Sequence, residues 1–378
     1  MSLWWMVSAA LAWPLRGPEG VTLEQDVDAA QIFAAQTLSS TARIDTDPDA
    51  LAQVAATTLA YLRTRASDDP LAVHPGLLGE LGVTLRDVER TLETIIHLAQ
   101  TDPDALTDPA QLAERFVYYR WRPDRAAAAA RGIQLPADRI RMTRYLVYQF
   151  PGSPTKTATY THALYAPPHD EGGMSRAEAD ARTEKGMRHQ YTRGEVMSGV
   201  YEPNGAAAGG AAPLVWLTRR GVYEAMMQGT IEVTLPDGRT QMFNVDRPND
   251  MPYVPSVRDP SKQDRYWYFA PVAGVMGWGE DRAHKVALQP LVSVAGDVYN
   301  LGLGKIVALE RGGVMRLAVL ADTGGAFQPN LFQLDLYTGA YPSTSAFQTA
   351  TRDLPATPQA GILIARRPAT TGGMQPLP

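Results

Sequence analysis

Three carboxylates stand out for their spacing. Asp297, Asp322 and Asp335 fall within 39 residues, in SVAGDVYNLG, ADTGG and QLDLY, each beside an apolar segment. Asp322 is the most unusual. The apolar run Leu317–Ala321 ends abruptly in Asp322-Thr323-Gly324-Gly325. Small and branched apolar residues bounded by glycines read as a buried strand. A carboxylate at such a strand end is partly desolvated, which raises the pKa of an acid. Gly324 and Gly325 remove side chains beside it, so a ligand can approach closely. The same residues also suit a turn aspartate that bonds its own backbone.

Two chemistries fit an apolar run followed by Asp-Thr-Gly. In an aspartic protease two such aspartates share a proton and activate water. This chain has one Asp-Thr-Gly and lacks two similar halves, so that reading requires a dimer. The second chemistry is glycosidic cleavage. Hydrolases usually need two carboxylates. A transglycosylase that uses the sugar's own hydroxyl needs one acid, which protonates the leaving oxygen and then takes a proton from the attacking hydroxyl. The six histidines (His74, His97, His162, His169, His189 and His284) form no HExxH or other metal pair. No phosphate loop, GxSxG or strand-to-helix GxGxxG is present, and LGLGK lacks the phosphate-loop Ser/Thr. No metal and no cofactor is expected.

The chain carrying these residues has 378 of them, 45% hydrophobic and 20% charged, enough for two or three globular domains. A net charge of −5 without basic runs argues against nucleic acid as a partner. Cysteine is absent, which excludes disulfides, thiolate chemistry and a lipoprotein anchor. The opening MSLWWMVSAALAWPL is apolar, with Ala10-Leu11-Ala12 fitting a small-x-small cleavage site, so residues 1–21 resemble a signal peptide and leader.

The positioning elements change character along the chain. Residues 22–118 read as helices: Asp47-Pro48 and Asp108-Pro109 offer N-caps, and Thr84 with Asp87 resembles a capping box ahead of Leu85, Val88, Leu92, Ile95 and Ile96. From Arg139 the pattern turns to strands, with RMTRYLVYQF and ATYTHALYA. Ser175 and Glu178 suggest one short capped helix, and NGAAAGGAA a flexible loop. TIEVTL and TQMFNV flank a turn at Pro236-Asp237-Gly238-Arg239, a hairpin. Residues 246–264 read as a linker, after which strands resume to about residue 366. The fold class is mainly β with N-terminal helices, and the long array of strands suggests a closed barrel. The tail 368–378 reads as disordered.

Taken in order, these motifs resemble the membrane-bound lytic murein transglycosylase A family with its three-aspartate domain. SVAGD is similar to the family's SVA-x-D, LAVLADTGGAF to its strand followed by D-x-GGAI, and LDLYTG to its D-[IL]-[YF]-x-G. MSRAEA, MQGT with Pro236-Asp237-Gly238, YFAP, and Thr143 and Tyr145 of TRYLVYQ also match in order, so the resemblance covers roughly residues 85–365.

The resemblance implies a double-psi β-barrel domain (helical part 22–118, barrel part 265–366) and an inserted second β-barrel domain (139–262), with glycan bound in the groove between them. It implies cleavage of the β-1,4 bond between N-acetylmuramic acid and N-acetylglucosamine, leaving a 1,6-anhydro end. Asp322 matches the catalytic acid/base, and Asp297 and Asp335 the flanking aspartates that orient and tune it. Thr143, Tyr145, Gln228, Gly229, Thr230, Gly324 and Gly325 match the glycan-binding positions. Peptidoglycan strands are the implied partner, with a monomeric protein in the periplasm or cell envelope, peripherally associated. A non-catalytic glycan-binding protein and a dimeric aspartic protease are the alternatives. The chain departs from the family pattern in several places: two extra residues precede Asp335, Gln228-Gly229-Thr230-Ile231 lacks the last glycine of the family's QGSG, and the downstream NGxxY segment is not evident. Proline stands at Pro329, where the family has glycine, and Asn300-Leu301-Gly302-Leu303-Gly304 replaces a proline-glycine turn.

Overall fold

The computed structural model describes residues 12–17, 22–38, 41–254, 256–257, 259, 262–279, 284–324, 327 and 329–368. The chain forms two compact units, the first from Met1–Arg144, Gln289–Tyr337 and Pro355–Pro378, the second from Tyr145–Leu288 and Thr338–Leu354.

The first unit opens with an antiparallel pair, β1 (Ala12–Arg16) and β2 (Thr22–Asp28), followed by α1 (Ala29–Ile32), β3 (Phe33–Gln36) and β4 (Arg43–Ile44). Helices α2 (Pro48–Arg65) and α3 (Leu85–Thr101) start where their caps predict. The Asp47 carboxylate accepts from the Asp49 and Ala50 N–H groups with Pro48 at the first position, and Thr84 and Asp87 form a reciprocal capping box. Leu51, Val54 and Leu62 of α2 and Val88, Leu92 and Ile95 of α3 are fully buried. Complete burial of such a side chain contributes roughly 1.5–3 kcal/mol. Next come α4 (Pro109–Arg115), β5 (Phe116–Trp121), α5 (Arg125–Ala130) and β6 (Arg141–Pro151), which leads into the second unit.

The second unit contains β7 (His162–Tyr165), α6 (Arg176–Asp180), α7 (Arg193–Met197), β8 (Pro213–Leu217), α8 (Arg219–Gln228), β9 (Thr230–Thr234), β10 (Thr240–Pro248) and β11 (Trp267–Val272). β9 and β10 form the predicted hairpin, with Gly238 at φ 84° in its turn. β11 pairs antiparallel with β10, and β6 parallel with β9. Trp216, Phe243, Tyr266, Tyr268 and Phe269 lie in its core, and Glu171 is buried between Arg188 and Arg247.

The chain then returns to the first unit through β12 (Ser293–Ala295), α9 (Val298–Leu301), β13 (Ile306–Arg311), β14 (Val314–Asp322) and β15 (Gln333–Tyr341). Helix α10 (Thr344–Thr351) belongs to the second unit, and β16 (Gln359–Ala365) closes the chain in the first. The first unit's strands run in the order β15-β12-β14-β13-β16-β5-β3, with β4 added to β14. The β12–β14 pair is parallel. α2 packs on α3 and β14, and α3 also packs on β16.

Several expectations change. The segment 22–118 is not wholly helical: β3 pairs with β5, and β5 with β16, so its ends are strands of the main sheet. Within the expected leader 1–21, residues 12–16 form β1 with Leu15 buried, while 1–11 and 18–21 lie outside the described residues. NGAAAGGAA is a run of bonded turns, in which Gly209 N–H donates to Tyr201 O and Ala211 is buried. Residues 246–264, read as a linker, are pinned inside the second unit. Buried Asn249 donates to Tyr191 O and Asp264 O, and buried Gln263 bonds both polar groups of the Val254 backbone. The chain therefore leaves that unit after Leu288, because β11 is a strand of it. Of the tail, residues 369–378 lie outside the described residues.

Candidate active site

The three aspartates gather in the first unit at the end of β12. Ala295 pairs with Asp322 of β14 on one side and with Asp335 of β15 on the other. Directly paired residues share a face of the sheet, so both carboxylates flank one methyl group. Two interstrand spacings put their Cα atoms about 10 Å apart. The register shifts between Val294, opposite Leu320, and Ala295, opposite Asp322. Ala321 is the extra residue, a bulge that brings Asp322 level with Ala295. Gly296 follows, and a Cβ there would stand 2.7 Å from Leu334 Cδ2 and 3.0 Å from Leu320 Cδ1, so a larger residue would require those leucine side chains to shift.

Asp322 is half-buried at its strand end. Its carbonyl accepts from Gly296 N–H at 3.1 Å, and the Thr323 hydroxyl donates to Gly296 O at 2.8 Å. Among the described residues, the Cβ position of Gly324 meets the Phe327 ring, at 3.8 Å. Gly325 lies outside the described residues.

Asp297 is wholly buried and caps α9. Its carboxylate accepts from Asn300 N at 3.1 Å, Asn300 Nδ2 at 2.7 Å and Asn330 N at 2.8 Å. Burial pushes its carboxyl up to about 6, against the pull of these donors. Burial likewise pushes Asp335 up to about 6, opposed by a hydrogen bond from Thr143 and by the Arg141 charge. Asp335 Oδ1 is buried without a hydrogen-bond partner among the described residues. Thr143 is placed beside it, donating to Leu334 O at 3.3 Å and accepting from Gln333 Nε2 at 3.2 Å.

The loop carrying Pro329 is held at several points. Arg131 donates to Pro329 O at 2.9 Å, the Trp121 indole to Leu331 O at 3.1 Å, and the Asp124 N–H to Leu331 O at 3.1 Å. Ala128 of the polyalanine helix α5 packs on Phe332. The tether gives that alanine run a role that its sequence did not announce.

The other expected binding positions lie in the second unit. Tyr145 is half-buried on β6, and its carbonyl accepts from the Thr338 hydroxyl at 2.9 Å. Gln228 is exposed at the end of α8, and Gly229 caps that helix at φ 72°. Thr230 is 6% exposed, and its hydroxyl accepts from Asn244 Nδ2 at 2.6 Å, so its side chain faces the interior of that unit. The structure thus brings Asp297, Asp322, Asp335 and Thr143 together, and separately Gln228, Gly229 and Thr230.

Sequence reasoning missed Asn300. Its side chain bonds Asp297 and also both polar groups of the Arg16 backbone, accepting from N at 2.8 Å and donating to O at 3.0 Å. The Asp-x-x-Asn spacing, a helix-capping pattern, was the available signal. Nothing in the sequence of Arg16 indicated the contact.

Comparison with known proteins fits this architecture. Residues 141–260 match the MltA specific insert domain. No curated protein matches the chain. Among solved structures, MltA from Neisseria gonorrhoeae is similar at TM-score 0.57 and 14% identity, covering 93% of this chain and 95% of that one. E. coli MltA with bound chitohexaose is similar at 0.54 and 14%, covering 89% and 95%. A membrane-bound lytic murein transglycosylase from Agrobacterium tumefaciens is similar at 0.53 and 17%, covering 85% and 93%. At these identities the likeness establishes the fold, and within it residues 141–260 match the insert domain specific to MltA.

Proposed function

We propose that the protein is a lytic transglycosylase that cleaves the β-1,4 bond between N-acetylmuramic acid and N-acetylglucosamine in peptidoglycan, with Asp322 as its single acid/base. The observation that carries this reading is the placement of Asp322 and Asp335 on either side of Ala295, with buried Asp297 just beyond. In the reaction Asp322 donates its proton to the glycosidic oxygen as the C1–O bond breaks. The resulting carboxylate then accepts the proton of the muramic C6 hydroxyl as its oxygen bonds to C1. The product is a 1,6-anhydro end, and no water enters. Asp297 and Asp335 keep the surroundings of Asp322 polar yet low in net negative charge while they remain protonated. In this reading the first unit's strands form the family's double-psi barrel, and the protein acts in the cell envelope after export.

Mass spectrometry of digested murein sacculi tests the reaction. Anhydro-muropeptides are the expected products. Reducing ends alone would indicate hydrolysis instead, and binding to sacculi without release would indicate a glycan-binding protein.

A further inference from the structure

In the second unit the Arg265 guanidinium lies over two aromatic rings, 4.6 Å from the Trp267 centroid and 5.2 Å from that of Tyr253. No carboxylate pairs with it among the described residues. Three of the unit's acids pair with other arginines: Glu171 bonds Arg188 and Arg247, Asp246 bonds Arg247, and Asp250 lies by Arg188. A second cation adjoins it, because buried Arg193 donates through Nε to the Arg265 carbonyl at 2.8 Å. Burial, and after it the Arg265 charge, depress the Arg193 pKa. An arginine held on ring faces keeps its in-plane N–H groups, and that planar fork matches a carboxylate.

The surroundings suit a glycan chain. Trp267 abuts Gly229, where a Cβ would stand 3.2 Å from Trp267 Cζ3. Tyr253 is 48% exposed and Met227, two residues before Gly229, is 58% exposed. An accessible aromatic surface therefore runs from the α8–β9 turn to a cation that no carboxylate among the described residues pairs with.

We propose that Arg265, set on Trp267 and Tyr253, is a carboxylate-binding site that reads the peptide substituents of the glycan strand. This proposal rests on peptidoglycan as the substrate. Stem peptides carry free carboxylates several bonds out from the sugar, whereas a strand stripped by an amidase keeps only the lactyl carboxylate held against the ring.

The test is equilibrium binding of the full chain to two probes, peptide-bearing glycan strands and the same strands stripped by an amidase. Wild type is expected to favour the peptide-bearing probe about tenfold, a preference worth roughly 1.4 kcal/mol. Arg265→Gln should reduce the ratio toward one, and Arg265→Lys should retain part of it. The lysine variant guards against a glutamine variant that fails to fold. An unchanged ratio in Arg265→Gln, equal weakening on both probes, or no preference in wild type would overturn the proposal. Release of anhydro ends from both probes is followed in parallel. Its absence in wild type would sink the transglycosylase reading, while the binding ratio would still decide the carboxylate site.

Discussion

Asp322 and Asp335 meet across Ala295, one paired to it from a parallel strand and the other from an antiparallel strand. The two carboxylates are thus fixed by backbone register, with one methyl group between them. That arrangement assigns different work to each acid, and each assignment has a measurable consequence.

Asp322→Asn leaves the strand end and its backbone bonds in place but removes the transferable proton. General acid/base catalysis is worth roughly 10²–10⁴-fold, and a loss of that size in anhydro-muropeptide release is expected. Circular dichroism should show an unchanged fold. Activity within a few fold of wild type would move the acid/base role to another residue.

Asp335 has a folded-state pKa of about 6 because it is buried. An acid raised in the folded state ionises first in the unfolded chain. The stability associated with its neutral form is intact below about pH 4 and is lost as pH rises through about 6. Asp335→Asn should therefore raise the melting temperature at pH 7.5, by the equivalent of about 2 kcal/mol, with little change at pH 4. Equal gains at both pH values would show that charge burial is not the cause.

Asn300→Ala deletes the donor at 2.7 Å from Asp297 and both bonds to the Arg16 backbone. The carboxylate loses a group that favours its charged form, so its titration should move upward from about 6, as read by carbon NMR of the carboxyl. A stability loss of about 2–3 kcal/mol should accompany it. An Asp297 midpoint that stays in place would assign Asn300 to folding alone.

Lys305 is fully buried, its amine near the carbonyls of Gly302 at 3.3 Å and His74 at 3.4 Å, and burial lowers its pKa to about 7. Depression of an amine costs stability progressively as pH falls from about 10 to 7, where the unfolded chain is already protonated. Lys305→Met should therefore stabilise the protein more at pH 6.5 than at pH 10 in thermal melts. A gain independent of pH would point to packing instead.

Much of this was legible because the signals were local. Asp47-Pro48 and Thr84 with Asp87 start helices through bonds within three residues, and Pro236-Asp237-Gly238 makes its own turn. The aspartate motifs could be located for the same reason, each being a strand end with its neighbours. What was lost depended on distant partners. Phe33–Gln36 is a strand only because β5 lies beside it, and the alternation of four residues is too short to read. Residues 246–264 look like a linker in composition, yet Asn249 and Gln263 tie them down by bonds that composition does not record. The strand-end pattern pointed to partial desolvation at Asp322 and did not announce that Asp297 is wholly buried.

The bond between Arg16 and Asn300 spans 284 positions. During synthesis β1 emerges well before its partner, so this contact can form only once residue 300 is available. Closing so long a loop carries an entropy cost that strand pairing with β2 alone does not offset. Completion of the Asp297 environment is therefore a late event in folding. A nascent chain that has already built α2 and α3 still lacks the finished acid cluster.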